Sequence, residues 1–249
     1  MTAAARQGYR EERMCSMERK KGFTLACVFA LLFVLLLVLV KTVDVAAVGP
    51  EGTEIGLSRL NAAVRDAIGF HPAWYRITQA LGGLAIGVAA AFALVGLAQL
   101  ARRKSFWRVD REIGALGVLY AVVIALYAAF EVVIVNYRPV VMPGEEHVEA
   151  SFPSSHTMLV CVVMGSAMLL ARRYLGARGD GAKRAAAETL CGLIIALTVF
   201  GRLYAGVHWF TDILAGVLLS ASLLSLYAGF IGKPRRGRGR SAPPGGGRR

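Results

Sequence analysis

The sequence predicts an all-α fold, a six-transmembrane-helix bundle, and three observations carry that prediction. Apolar residues make up 56% of the chain, and the mean hydropathy of +0.54 exceeds that of ordinary soluble domains. These residues gather into six runs, near 22–43, 74–101, 113–135, 157–171, 188–205 and 208–232, close to the roughly 20 residues that cross about 30 Å of hydrocarbon. Finally, 23 of the 29 Lys and Arg fall in four segments, 1–21, 102–111, 172–184 and 233–249. Alternating spans put all four on one side, and the positive-inside rule makes that side cytoplasmic. The net charge of +13 therefore reads as topology signal and as contact with anionic lipid headgroups, not as a nucleic-acid interface. An integral protein of a bacterial plasma membrane is expected, with N- and C-termini in the cytoplasm.

Residues 1–21 form a basic N-terminal tail, expected to be loosely ordered and cytoplasmic. The first apolar run, Phe23 to Val40, exceeds a typical signal-peptide core, so an uncleaved span is expected despite the cleavage-like Val45-Ala46-Ala47. After the turn Gly49-Pro50-Glu51-Gly52, residues Leu57, Leu60, Val64 and Ile68 recur at helical spacing, with Arg59, Arg65 and Asp66 off that stripe. They describe a short amphipathic helix on the outer surface, either a packing element or a gate for a lipid. Trp74 and Tyr75 open the second span at aromatic-belt depth. Gly83 and Gly87 then offer a small-xxx-small contact face.

The third span, from Ile113, carries Glu131 near its outer end, and a loop from Asn136 to Ser155 follows. The fourth run is short and is expected to extend to Leu175 with its arginines snorkelling. A basic, glycine-containing loop leads to the fifth span. The six-span domain occupies 22–232, and the Gly-, Pro- and Arg-rich tail 233–249 is expected to be disordered. The four cysteines, Cys15, Cys27, Cys161 and Cys191, avoid the outer loops, so no disulfide is expected, and their scatter suggests no metal site. No cofactor is implied, and the oligomeric state stays open.

Ionisable residues at a span boundary point to function. Arg138, His156, Arg202, His208 and Asp212 all fall at the outer ends of spans three to six. If a helix starts near Val207, His208 and Asp212 share one face at i and i+4, as a buried ion pair or as a carboxylate holding an imidazole for base or nucleophilic work. Two arginines offer donor forks to a phosphoryl group. Ser154 or Ser155 would cap the fourth helix, whose free N–H groups favour an anion. With no outer carboxylate cluster, a metal-free route is expected.

Three segments carry a family resemblance over roughly 75–232. Gly201-Arg202 through His208 to Asp212 resembles the Ser-Arg-x5-His-x3-Asp motif of the type 2 phosphatidic acid phosphatase (PAP2) superfamily. Pro153-Ser154-Ser155-His156 resembles its Pro-Ser-Gly-His motif, and Glu131 through Arg138-Pro139 its Lys-x6-Arg-Pro motif. The core so marked is 131–212. The resemblance implies a membrane phosphatase acting on a lipid phosphate or diphosphate, with its active site at the outer membrane face. It implies His208 as a nucleophile forming a phosphohistidine, Asp212 orienting it and His156 as general acid. Arg138, Arg202, Ser154 and Ser155 would bind the phosphoryl oxygens. Three positions differ from the motifs: Gly201 for serine, Ser155 for glycine and Glu131 for lysine. Glu131 exchanges a cation for an anion, and could pair with an arginine, accept a proton or read a substrate hydroxyl. It leaves a second reading, a lipid-phosphate binding or transport protein on the same fold.

Overall fold

The computed structural model describes residues 3–142 and 144–232. Among the described residues seven α-helices follow in order: α1 Ala3–Thr42, α2 Ser58–Ile68, α3 Pro72–Arg103, α4 Arg111–Val132, α5 Ser155–Arg178, α6 Gly181–Tyr204 and α7 Phe210–Ile231. All but α2 contain a segment long and apolar enough to span a membrane, and among the described residues the only extended pairing is two isolated bridges. The tail expected to be disordered at 233–249 lies outside the described residues.

The expectation of a loose N-terminal tail is corrected, because α1 is helical from Ala3 onward. Its basic stretch consists largely of Ala, Arg, Glu, Met and Lys, all strong helix formers. The apolar run behind it supplies a helix from which they propagate. Other bounds shift modestly: α5 reaches Arg178, α6 starts at Gly181, and α7 begins at Phe210, past His208.

Helix α7 is central and packs against α1, α2, α4, α5 and α6. Glycine sets its approach to α1, since a Cβ on Gly22 would lie 2.6 Å from Gly229 Cα. Beside that contact the Ser222 hydroxyl donates to the Ala26 carbonyl at 2.9 Å. Nearer the other end Phe33, Phe130 and Phe152 cluster with ring centroids 6.0 to 6.2 Å apart. Gly83 and Gly87, read from sequence as a contact face, instead point into open space. The close approach on α3 falls at Gly82, where a Cβ would come within 2.9 Å of His156 Cδ2.

At the basic end, two arginines satisfy the last carbonyls of α7, which no helical N–H can reach. Arg111 Nη2 donates to Phe230 O at 2.8 Å, and Arg173 Nη1 to Gly232 O at 2.9 Å. Arg173 also pairs with Glu112. Residues of both basic segments therefore do structural work in the fold. At the opposite end α1, α4 and α6 finish and α3, α5 and α7 begin, and all five motif residues collect there.

Helix α2 lies across that end with polar residues inward. Ser58 and Asn61 are buried and Leu57 packs against the core, while Leu60 is exposed, so polar residues share the contact with part of the apolar stripe. The cause is local: the start of α7 needs hydrogen-bond acceptors, and Asn61 supplies one.

The glycine contacts set a contrast. Gly22→Ala drives a methyl into the α7 backbone and is expected to lose about 1–3 kcal/mol, as overpacking does. Gly83→Ala meets nothing and should be neutral or slightly stabilising. Thermal unfolding of both variants in detergent measures the difference, and equal melting temperatures would count against the α1–α7 packing.

Candidate active site

His208 sits in a non-helical turn, residues 205–209, between α6 and α7. The i, i+4 helical face expected for His208 and Asp212 is thus corrected, although the two side chains still meet. Nδ1 of His208 lies 3.8 Å from Asp212 Oδ2, and both side chains are almost completely buried. The turn bends at Gly206, with φ of +72°, and a Cβ there would come within 2.0 Å of Gly69 O. Only glycine fits both the left-handed backbone and that contact.

Asp212 is the third residue of α7 and caps it by reaching back, its Oδ2 accepting the Trp209 N–H at 3.0 Å. Its Oδ1 accepts from Asn136 Nδ2 at 3.1 Å. The carboxylate is therefore fixed from two sides, with one edge toward His208. Neither nitrogen of the imidazole has a hydrogen-bond partner. Burial first, and then the Arg138 and Arg202 guanidinium groups, hold the His208 pKa well below the usual histidine range, so the ring is neutral and its lone pair available.

Arg202, in the last turn of α6, is completely buried. Its Nη1 donates to Thr78 Oγ1 at 3.3 Å and its guanidinium lies 5.2 Å from the Tyr75 ring centroid, while its Nε has no partner. Among the described residues no carboxylate forms an ion pair with it. A buried cation without a counter-ion is costly, and a phosphoryl group would supply one. Gly201 is cramped, since a Cβ would sit 2.8 Å from Thr78 Cγ2; this accounts for glycine where the motif has serine.

Arg138 is held by a short antiparallel pairing in the 133–154 loop. Its N–H donates to Glu149 O at 3.0 Å, and the Ser151 N–H to Asn136 O at 2.9 Å. Its Nε lies 2.9 Å from Glu149 Oε2, and its Nη1 is buried without a hydrogen bond. The anion on Arg138 is thus Glu149, not Glu131. Glu131 is exposed near the end of α4 and forms no ion pair with either arginine, but it lines the cleft that also contains Arg138, Ser155 and His208. Leu126, Phe130, Phe152 and Met158 supply apolar lining to the same cleft.

The two serines separate. The Ser154 N–H is committed to Asp212 O at 2.9 Å, and its hydroxyl accepts from Thr157 at 3.0 Å. Ser155 opens α5 and lines the cleft, where the first helical N–H groups lack intrahelical partners. His156, one residue further, packs its ring against Gly82.

Sequence reasoning missed Asn61, Thr78, Asn136 and Glu149 as members of this assembly, and assigned Tyr75 to the interface belt. Asn136, two residues before Arg138, was the most accessible signal: an amide at membrane depth needs partners.

The family model described as "PAP2 superfamily" matches residues 113–236. No curated protein matches the chain. Among solved structures, the chain resembles the crystal structure of a transmembrane PAP2-type phosphatidylglycerolphosphate phosphatase from Bacillus subtilis. That match has a TM-score of 0.59 at 20% identity, and covers 83% of this chain and 96% of that one. At that identity the likeness speaks for the fold, while the motif-bearing helices carry the membership. The chain belongs to the PAP2 superfamily, and the matched residues take in α5 to α7 and all but the first two residues of α4.

Proposed function

We propose that this protein is a membrane phosphatase that hydrolyses a lipid phosphate or diphosphate through a phosphohistidine on His208. The observation that carries the reading is the buried, uncompensated Arg202 in the same buried assembly as an imidazole with both nitrogens free. An anion completes the first and exposes itself to the second. The cleft favours a lipid, since its lining joins His208, Arg138 and Ser155 with Leu126, Phe130, Phe152 and Met158, side chains that suit acyl or prenyl chains.

In this mechanism Nε2 of His208 bonds to phosphorus as the bond to the leaving oxygen breaks, and that oxygen takes a proton from His156. Asp212 stabilises the positive charge gained by the imidazole. Water then adds to phosphorus, giving its proton to His156; the N–P bond breaks and phosphate leaves. Arg138, Arg202 and the α5 N-terminus hold the phosphoryl oxygens, with Ser155 rather than Ser154 contributing there. The basic segments 102–111 and 172–184 lie at the opposite end of the helices, so the positive-inside rule turns the site away from the cytoplasm.

Glu131 narrows the substrate. A carboxylate in the cleft accepts a hydrogen bond from a hydroxyl and repels a phosphate joined directly to the one being cleaved. Of phosphatidylglycerophosphate, phosphatidic acid and polyprenyl diphosphate, it disfavours the last and favours the first, which carries a free hydroxyl beside the phosphomonoester and holds its other phosphate three carbons away. The second reading, lipid-phosphate binding without turnover, draws on the Glu149 carboxylate already seated on Arg138.

Purified protein given these three lipids should release phosphate continuously. His208→Ala should abolish release and His156→Ala should lower kcat by about 10²–10⁴; turnover that survives His208→Ala sinks the mechanism, and stoichiometric binding without release supports the second reading. The acid limb of kcat/KM belonging to His208 should lie below pH 6.5, because a lowered pKa keeps the nucleophile unprotonated until the medium is more acidic. A limb at or above 6.5 would contradict the buried, arginine-flanked imidazole. Glu131→Lys should raise the kcat/KM ratio of diphosphate to hydroxyl-bearing monoester at least about tenfold, the equivalent of one ion contact near 1.4 kcal/mol. An unchanged ratio removes Glu131 from substrate choice.

A further inference from the structure

We infer that Asn61, on the surface helix α2, is a positioning residue that moulds the His208 turn. The N-cap of α7 is Trp209, whose side chain has no oxygen to accept the orphan N–H groups that open a helix. The missing acceptor comes from another element 150 residues away in sequence: Asn61 Oδ1 accepts the Thr211 N–H at 3.2 Å. The same amide donates from Nδ2 to Thr211 Oγ1 at 3.0 Å and to Gly56 O at 2.9 Å. Asn61 is completely buried, so each of these bonds is made away from water and none is replaced cheaply on loss.

The contact continues along the turn. Arg65, one turn on from Asn61, stacks its guanidinium 5.4 Å from the Trp209 ring centroid and anchors itself by an Nη1 bond to Val48 O at 2.9 Å. Gly69 O abuts Gly206, and the His71 N–H donates to Ala205 O at 3.1 Å. The segment from Asn61 to His71 therefore touches the chain at 205, 206, 209 and 211, on both sides of His208. Asn61 touches neither His208 nor the cleft. Its effect is transmitted through the backbone that carries the imidazole, and a shift on the order of 1 Å in a reacting group costs about 10²-fold in rate.

The inference rests on the phosphatase reading for its kinetic arm and stands apart from it in its spectroscopic arm. Asn61→Ala and Asn61→Asp are compared with the parent for kcat, KM, folded fraction by gel filtration, and the His208 imidazole resonance in histidine-labelled protein, identified by its loss in His208→Ala. Asn61→Ala is expected to lower kcat about 10- to 100-fold with KM within about threefold and the folded fraction unchanged. Its His208 signal should move while that of the exposed His147 stays. The groups facing the imidazole, Arg138, Arg202, His156 and Asp212, are untouched by the substitution. Asn61→Asp keeps the acceptor for the Thr211 N–H and should recover part of kcat. An unmoved His208 signal overturns the inference whether or not the parent turns over, as does a loss of kcat that only follows the folded fraction. A parent that releases no phosphate overturns the phosphatase reading instead.

Discussion

A tight turn between two transmembrane helices leaves the backbone groups of both helix ends in need of partners. The turn between α6 and α7 finds them in its neighbours. Asp212 folds back on Trp209, Asn61 accepts from Thr211, the Ser154 N–H takes the Asp212 carbonyl, and the His71 N–H takes Ala205 O. The consequence is that His208 is not on a helix face but on a short strap held by α2, α3, α5 and the 133–154 loop together. Every other part of the site is arranged around that strap.

The charges follow a second logic. Two arginines and a carboxylate are drawn into a poorly solvated region, where each needs a partner. Asp212 has its partners in the protein, from Asn136 and the backbone. Arg202 has only a hydroxyl and an aromatic face. The imbalance is local and positive, and it adds to burial in keeping the neighbouring imidazole uncharged.

Much of this was legible in the sequence. The six spans followed from apolar runs and the spacing of basic segments. The convergence of Arg138, His156, Arg202, His208 and Asp212 followed from alternation alone. What escaped was of two kinds. The helix over residues 3–21 was hidden because charge was taken for disorder, although those residues are strong helix formers. The supporting residues were hidden because their partners are remote: nothing local marks Asn61 as belonging with Thr211, or Glu149 with Arg138. Small-residue spacing misled for Gly83 and Gly87, whose neighbour Gly82 makes the contact. Several of these, Asn61, Tyr75, Thr78 and Gly82, also lie outside the family-matched segment, so the recognisable core is completed by helices that its motifs do not mention.

The ion pair between Arg138 and Glu149 makes the two arginines unequal as hosts. Glu149 is about half exposed, and it already occupies one edge of the Arg138 fork. The phosphoryl group of the proposed reaction would compete with that tethered carboxylate at Arg138, where the gain would be only the difference between two similar contacts, and would meet no rival carboxylate at Arg202. Its binding would be an exchange on one side and a first neutralisation on the other, and the side without a rival would set how tightly it is held.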